Sequence, residues 1–236
     1  GGLITQWCRD KGVNVYTEAR VSAIEPHAGR APLVVKLEGG EALPAELVIR
    51  ATGVVPNTEF LEGSGVAADG GVVVNEYLQT SVPEIYAAGD VALGKDFSTG
   101  GSSSLAIQPT AADHGRIAAA NMVAQGSSEH PGCVVMNVLD TLGLISSSFG
   151  AWQGVDGGDS AELSDPGRYR YLSLQFEDDV LVGANSLGLT QHVGVLRGLI
   201  QSRIRLGVWK ERLRQDPTRI MEAYLGATHG VTWAGV

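Results

Sequence analysis

Cysteine is scarce in this chain: Cys8 and Cys133 are the only two among 236 residues. They form no C-x-x-C pair and no disulfide framework, which sets aside disulfide-stapled domains and thiol metal knuckles and points to a reducing, cytoplasmic setting. Long apolar runs are missing too. Nothing approaches the roughly 18–20 residues that span a bilayer, and no basic n-region leads into an apolar h-region, so no membrane association is expected. Basic residues number 17 against 26 acidic ones, a formal net charge of −9. A nucleic-acid binder draws most of its affinity from neutralising phosphates, and this balance argues against one. The single basic cluster, Arg197, Arg203, Arg205, Lys210, Arg212 and Arg214, has the spacing of one polar helix face.

Glycine is plentiful, at 32 residues without a G-X-Y period, and 44 % of residues are hydrophobic. That composition is globular and turn-rich, neither collagen-like nor disordered. Leu3, Ile4 and Trp7 before Lys11-Gly12 predict the end of an amphipathic helix closed by a C-cap glycine. Val13-Asn14-Val15-Tyr16 reads as a short strand, Val21 and Ile24 as the start of another, and Leu33-Val34-Val35-Lys36-Leu37 with Gly39-Gly40 as a hairpin arm. Leu47-Val48-Ile49-Arg50-Ala51 reads as a compact apolar strand running into Thr52-Gly53.

Further on, Val72-Val73-Val74 and Tyr77-Leu78 are extended, and Ile85-Tyr86-Ala87-Ala88 is a buried strand closed by Gly89-Asp90. A helix opens at Pro109-Thr110, with proline in its preferred first position, and runs to about Gln125. Residues 126–132 have linker composition. Beyond them, residues 134–149 are apolar with interspersed serines. Residues 169–176 alternate strictly and return through Val180-Leu181-Val182-Gly183-Ala184, a hairpin with a three-residue loop. Residues 193–213 and 218–225 are helical. Strands followed by helices make an α+β module of the carboxyl-terminal part.

Two nucleotide-binding patterns fail on context. Gly63-Ser64-Gly65-Val66-Ala67-Ala68 matches G-x-G-x-x-A, yet Asp69-Gly70-Gly71 stops the helix that the fingerprint requires. Gly89-Asp90-Val91-Ala92-Leu93-Gly94-Lys95-Asp96 approaches a phosphate-binding loop. It puts Asp96 where a magnesium-binding hydroxyl belongs, and Asp90 would repel phosphate. The signal that survives is a pair of segments, Ala51-Thr52-Gly53-Val54-Val55-Pro56-Asn57 and Thr80-Ser81-Val82-Pro83-Glu84-Ile85-Tyr86-Ala87-Ala88-Gly89-Asp90-Val91. Each reads as a strand delivered to a glycine turn, where backbone can approach a ligand and a carboxylate can accept hydrogen bonds from sugar-type hydroxyls. Read alone, Asp90 has the turn-capping role as its alternative.

In this order and at this separation the two segments resemble the pyridine nucleotide-disulfide oxidoreductase superfamily of flavoproteins, over about residues 1–125. The resemblance implies that Thr52-Gly53 marks the return from an NAD(P)-binding to an FAD-binding domain. It also implies that Gly89-Asp90-Val91 carries the aspartate for the FAD ribityl chain, and that the helix starting at Pro109-Thr110 aims its amino end at the flavin. FAD and NAD(P)H are the implied cofactors. The stretch after residue 106 looks most like the branch of NADH oxidases, rubredoxin reductases and the flavin part of nitrite reductases. Both G-x-G-x-x-G fingerprints of the family are absent, so the chain is expected to be a carboxyl-terminal portion of a longer flavoenzyme, inactive by itself.

The expected fold is therefore α/β, with partial Rossmann-like FAD- and NAD(P)-binding domains followed by an α+β module. Residues 1–50 are expected to be a remnant of the NAD(P) domain, 51–126 the end of the FAD domain, and 133–236 an interface domain. That last domain suits a homo-oligomer or the docking of an electron-acceptor protein. No general acid, nucleophile or metal site is assigned. His27, His114, His130, His192 and His229 show no metal-ligand spacing with one another or with the cysteines. Glu177, Asp178 and Asp179 read as solvated turn carboxylates, and Trp152, Trp209 and Trp233 as packing or interface residues.

Overall fold

A computed structural model describes residues 1–229; Trp233 lies outside the described residues. The chain divides into two compact units, Gly1–Val54 and Val55–Val236. In the first, α1 (Gly2–Asp10) ends at Lys11, and Gly12 follows at φ +83°, the predicted glycine stop. Three strands, β1 (Val21–Pro26), β2 (Leu33–Leu37) and β3 (Ala42–Ala45), form an antiparallel meander in sequence order. Two predicted strands are missing. Among the described residues, 13–16 and 47–51 join no strand ladder, and Leu47 and Ile49 stay 74 % and 80 % exposed. A lone apolar segment is a strand only when a neighbour takes up its backbone hydrogen bonds, and the unit offers 47–51 no such neighbour.

The second unit opens with short pieces. β4 (Val72–Val73) pairs parallel with β5 (Ala92–Lys95), which pairs antiparallel with β6 (Ser102–Ser103). The predicted strand at 85–88 is reduced to one bridge between Gln79 and Tyr86. It leads into a 3-10 turn over Gly89–Val91. Then comes α2 (Gln108–Val123), with Pro109 in its first turn as expected. Its inner face packs Ile117 and Ala118 against Leu78, Val74, Tyr86 and Ala88. Neither rejected nucleotide motif forms a strand–loop–helix, since Gly89–Asp96 runs from a 3-10 turn into β5.

Residues 126–132 are pinned rather than free. His130 N–H donates to the Glu76 carbonyl at 2.7 Å, and the Asn121 side chain holds Ser128. Five antiparallel strands follow: β7 (Met136–Thr141), β8 (Leu144–Gly150), β9 (Asp159–Asp165), β10 (Arg170–Glu177) and β11 (Val180–Leu187), in spatial order β7-β8-β11-β10-β9. The serine-containing stretch at 134–149 is thus a hairpin. Leu142 and Gly143 both take positive φ at its tip, the geometry that a two-residue hairpin turn favours. The β10–β11 loop also has two residues, Asp178 and Asp179, one fewer than predicted.

The expected helix over 193–213 is two, α3 (Val193–Ser202) and α4 (Val208–Gln215), followed by α5 (Ile220–His229). Arg203 at φ +49° and Gly207 at φ +56° break it. The basic residues therefore do not share one helix face. The acidic turn holds the break in place: the Asp179 carboxylate accepts the Gly207 N–H at 2.9 Å, and Glu177 pairs with Arg203 at 3.2 Å. These carboxylates are partnered, not merely solvated. Phe149, Leu172, Leu174, Phe176 and Leu181 from the sheet meet Leu196, Leu199, Ile200, Leu213 and Ala223 from the helices in one buried core. Trp209 packs against that core and carries Arg212 over its ring at 4.3 Å, while Trp152 is 38 % exposed.

Candidate functional site

The predicted site residues fall in both units. In the first, Gly53 takes φ +94°, open to glycine and strained for other residues, and the Thr52 hydroxyl accepts from Arg50 Nε at 3.0 Å. The second unit gathers the rest. Gly89 is buried at φ +77°, and a Cβ there would meet the Ala111 Cβ of α2 at 3.3 Å. Only glycine lets this turn lie so close to the start of the helix. Asp90 follows with its backbone carbonyl held by the Ser104 hydroxyl at 3.0 Å. Its carboxylate is exposed and has no hydrogen-bond or ionic partner among the described residues. The Val91 carbonyl lies against Gly71, where a Cβ would approach it to 3.0 Å.

At α2, Ile107 is the N-cap and no side chain caps the helix. First-turn amides of an uncapped helix are unsatisfied donors at the positive end of the helix dipole. Pro109 is exposed at this end, whereas Thr110 is buried and its side chain bonds the Cys133 thiol. A ligand with both hydroxyls and an anionic part could thus set its hydroxyls against the carboxylate and its negative charge against the uncapped amides.

Behind the turn lies a group that sequence spacing conceals. The Gly89 N–H donates to His114 Nδ1 at 3.3 Å, and His114 Nε2 lies 3.3 Å from Cys133 Sγ. Because Nδ1 accepts, neutral His114 carries its proton on Nε2, facing the sulfur. His130 stands edge-on to His114, with ring centroids 4.6 Å apart. Burial, reinforced by His130, pushes His114 down to about 4; burial lowers His130 as well and pushes the Cys133 thiol up. The clue available in sequence was His114 four residues after Thr110, one turn along the same helix face.

Residues 2–123 match the pyridine nucleotide-disulphide oxidoreductase family. The chain belongs to that family. Members use FAD and NAD(P)H. The epsilon subunit of NADH-dependent phenylglyoxylate dehydrogenase from Aromatoleum evansii is 32 % identical over 228 residues, covering 96 % of this chain and 53 % of that subunit. Among solved structures, a NAD-dependent persulfide reductase from A. fulgidus is 27 % identical with a TM-score of 0.74, over 88 % of this chain and 41 % of that one. Putidaredoxin reductase, solved in covalent complex with putidaredoxin, superposes at a TM-score of 0.81 over 96 % of this chain and 53 % of its own. Its 21 % identity makes that a likeness of fold alone. The chain spans about half the length of the relatives it matches. Among the described residues, no helix is long and apolar enough to cross a membrane.

Proposed function

We propose that this family member supplies part of a flavoprotein reductase in which a hydride passes from NAD(P)H to FAD and electrons leave to a further acceptor. Residues 1–50 would belong to the NAD(P)-binding domain, 51–126 to the FAD-binding domain and 133–236 to an interface domain. The branch favoured is that of NADH oxidases, rubredoxin reductases and nitrite reductase flavin domains. Bound FAD would supply the redox chemistry; the protein supplies binding, orientation and electrostatics.

Asp90 carries the reading. Its carboxylate is exposed and without a partner among the described residues, on a glycine turn packed against an uncapped helix start, which suits it to accept hydrogen bonds from ribityl hydroxyls. The first turn of α2, at Pro109 and Thr110, would stabilise negative charge on the flavin. Thr52-Gly53 and Gly89 permit close backbone approach, and Val91 continues the turn. The test is FAD content by visible absorption in a longer protein that carries this chain behind the portion its relatives possess. Asp90→Ala should lose most of the flavin and Asp90→Asn part of it. Unchanged flavin in Asp90→Ala overturns the assignment.

A docking or dimerisation role for 133–236 has its own support. Val138, Leu139 and Leu142 on the β7–β8 hairpin are each more than half exposed. The phenylglyoxylate dehydrogenase relative is itself a subunit, and the reductase of like fold was solved in complex with putidaredoxin. Light-scattering mass at two concentrations tests the homo-oligomer: Leu139→Glu should convert a dimer to monomer. A monomer throughout removes the homo-oligomeric form of this reading.

A further inference from the structure

His114, His130 and Cys133 lie 16 and 3 positions apart along the chain. The fold gathers them where α2 passes the segment after residue 129. One ligating atom from each lies within 4.8 Å of the other two, and all three residues are buried. The 3.3 Å between Cys133 Sγ and His114 Nε2 is close to the S–N edge of a tetrahedral zinc site, about 3.5 Å from standard bond lengths. The two imidazoles meet at 84°, so they do not stack face to face. A cavity of about 130 Å³, lined by Thr110, Asp113, His130 and Cys133 among others, adjoins the thiol. Asp113 and Asp96 act electrostatically on Cys133, and Asp113 also acts on both histidines.

We propose that His114, His130 and Cys133 bind one borderline-soft divalent cation of the zinc class, with a fourth position open to the cavity beside Asp113. Two imidazoles and a thiolate form a donor set suited to such an ion and poorly suited to magnesium or calcium.

Binding releases the Cys133 thiol proton to solvent and changes no oxidation state. It also has a cost written into the hydrogen bonding. Ligating histidines ordinarily donate their second N–H to an acceptor. Here Gly89 N–H points at His114 Nδ1, at 3.3 Å, and Gly132 N–H at His130 Nδ1, at 3.2 Å. Ligation through His114 Nε2 moves the imidazole proton to Nδ1, and the Gly89 amide loses its acceptor. The ion therefore competes with this hydrogen bond, and the site is exchangeable rather than a permanent structural centre. Loading is felt at the Gly89-Asp90 turn.

The test is titration of the whole chain, stripped with EDTA and kept reduced by a phosphine, with Co²⁺. The expected result is a sulfur-to-cobalt charge-transfer band that saturates at one equivalent and is displaced by Zn²⁺. Cys133→Ser should abolish the band, His114→Ala and His130→Ala should weaken binding at least tenfold, and Cys8→Ser should change nothing. Circular dichroism of each variant checks its fold. No charge-transfer band in the wild-type chain at excess cobalt overturns the proposal without recourse to any variant; so does a band that survives in Cys133→Ser. Neither result depends on flavin, so failure here leaves the FAD reading standing.

Discussion

The Asn121 side chain and the Ser128 backbone bind each other reciprocally: Nδ2 donates to the Ser128 carbonyl at 2.7 Å, and Oδ1 accepts the Ser128 N–H at 3.2 Å. The same Nδ2 serves the carbonyls of Tyr77 and Ile117 at 3.1 and 3.0 Å. One buried amide thus joins the loop at 77, the helix α2 and the segment leading into the five-stranded sheet.

Asn121→Ala should cost about 2–3 kcal/mol, because it strands buried backbone groups rather than removing one exposed bond. Asn121→Asp should be worse above the carboxyl pKa, since it turns an oxygen towards three carbonyls. Urea melts at pH 7 and pH 5 read both effects, and a deficit of Asn121→Asp against wild type that is equal at the two pH values contradicts the second.

Gly183 on β11 has no room for a side chain. A Cβ there would come within 3.0 Å of backbone atoms of Ala151 and Trp152. Gly183→Ala should destabilise by about 2–3 kcal/mol, through displaced backbone and not through φ. A thermal midpoint within a degree of wild type would show that the Ala151-Trp152 loop gives way freely.

Acid should weaken the metal-free chain through His114. Near pH 7.5 the imidazole is neutral in folded and unfolded states alike. On acidification the unfolded chain takes up its proton near pH 6.5 and the folded chain only near 4. Between those values the unfolded state binds more protons, so stability falls by about 2–3 kcal/mol and levels off below pH 4. Burial lowers His130 too, which adds in the same direction. Urea midpoints from pH 7.5 to 4 with EDTA present test this, and His114→Gln should flatten the slope.

Lys210 clamps α4 to the sheet by binding the Asp159 carboxylate at 2.7 Å and the Asp178 carbonyl. The ammonium holds the Asp159 carboxyl below its usual range. That contribution is fully present above the ordinary carboxylate pKa and is lost as pH falls from there through the lowered folded value. Lys210→Met should lower the urea midpoint at pH 7 with an unchanged m-value, and the deficit should shrink near pH 3.

Much of the secondary structure was legible from the chain alone. The stop of α1 at Gly12, the start of α2 at Pro109 and the hairpin turn between β10 and β11 are local effects of backbone freedom, capping and turn chemistry, and they need no distant partner. The same locality explains why Thr52-Gly53 and Ala88-Gly89-Asp90 could be read in order as a resemblance to the family that residues 2–123 match.

Pairing and proximity depended on the rest of the fold. Residues 47–51 have the composition of a strand and are not one, because a strand requires a neighbour to take its hydrogen bonds. The 193–213 stretch has helical content throughout, yet it breaks where the Asp179 carboxylate captures the Gly207 amide across 28 positions of sequence. His114, His130 and Cys133 carry no recognisable spacing, and only the packing of α2 against the segment after residue 129 brings them together. Propensity and capping act over a few residues, whereas a metal-ligating cluster is a distance relation set by tertiary packing.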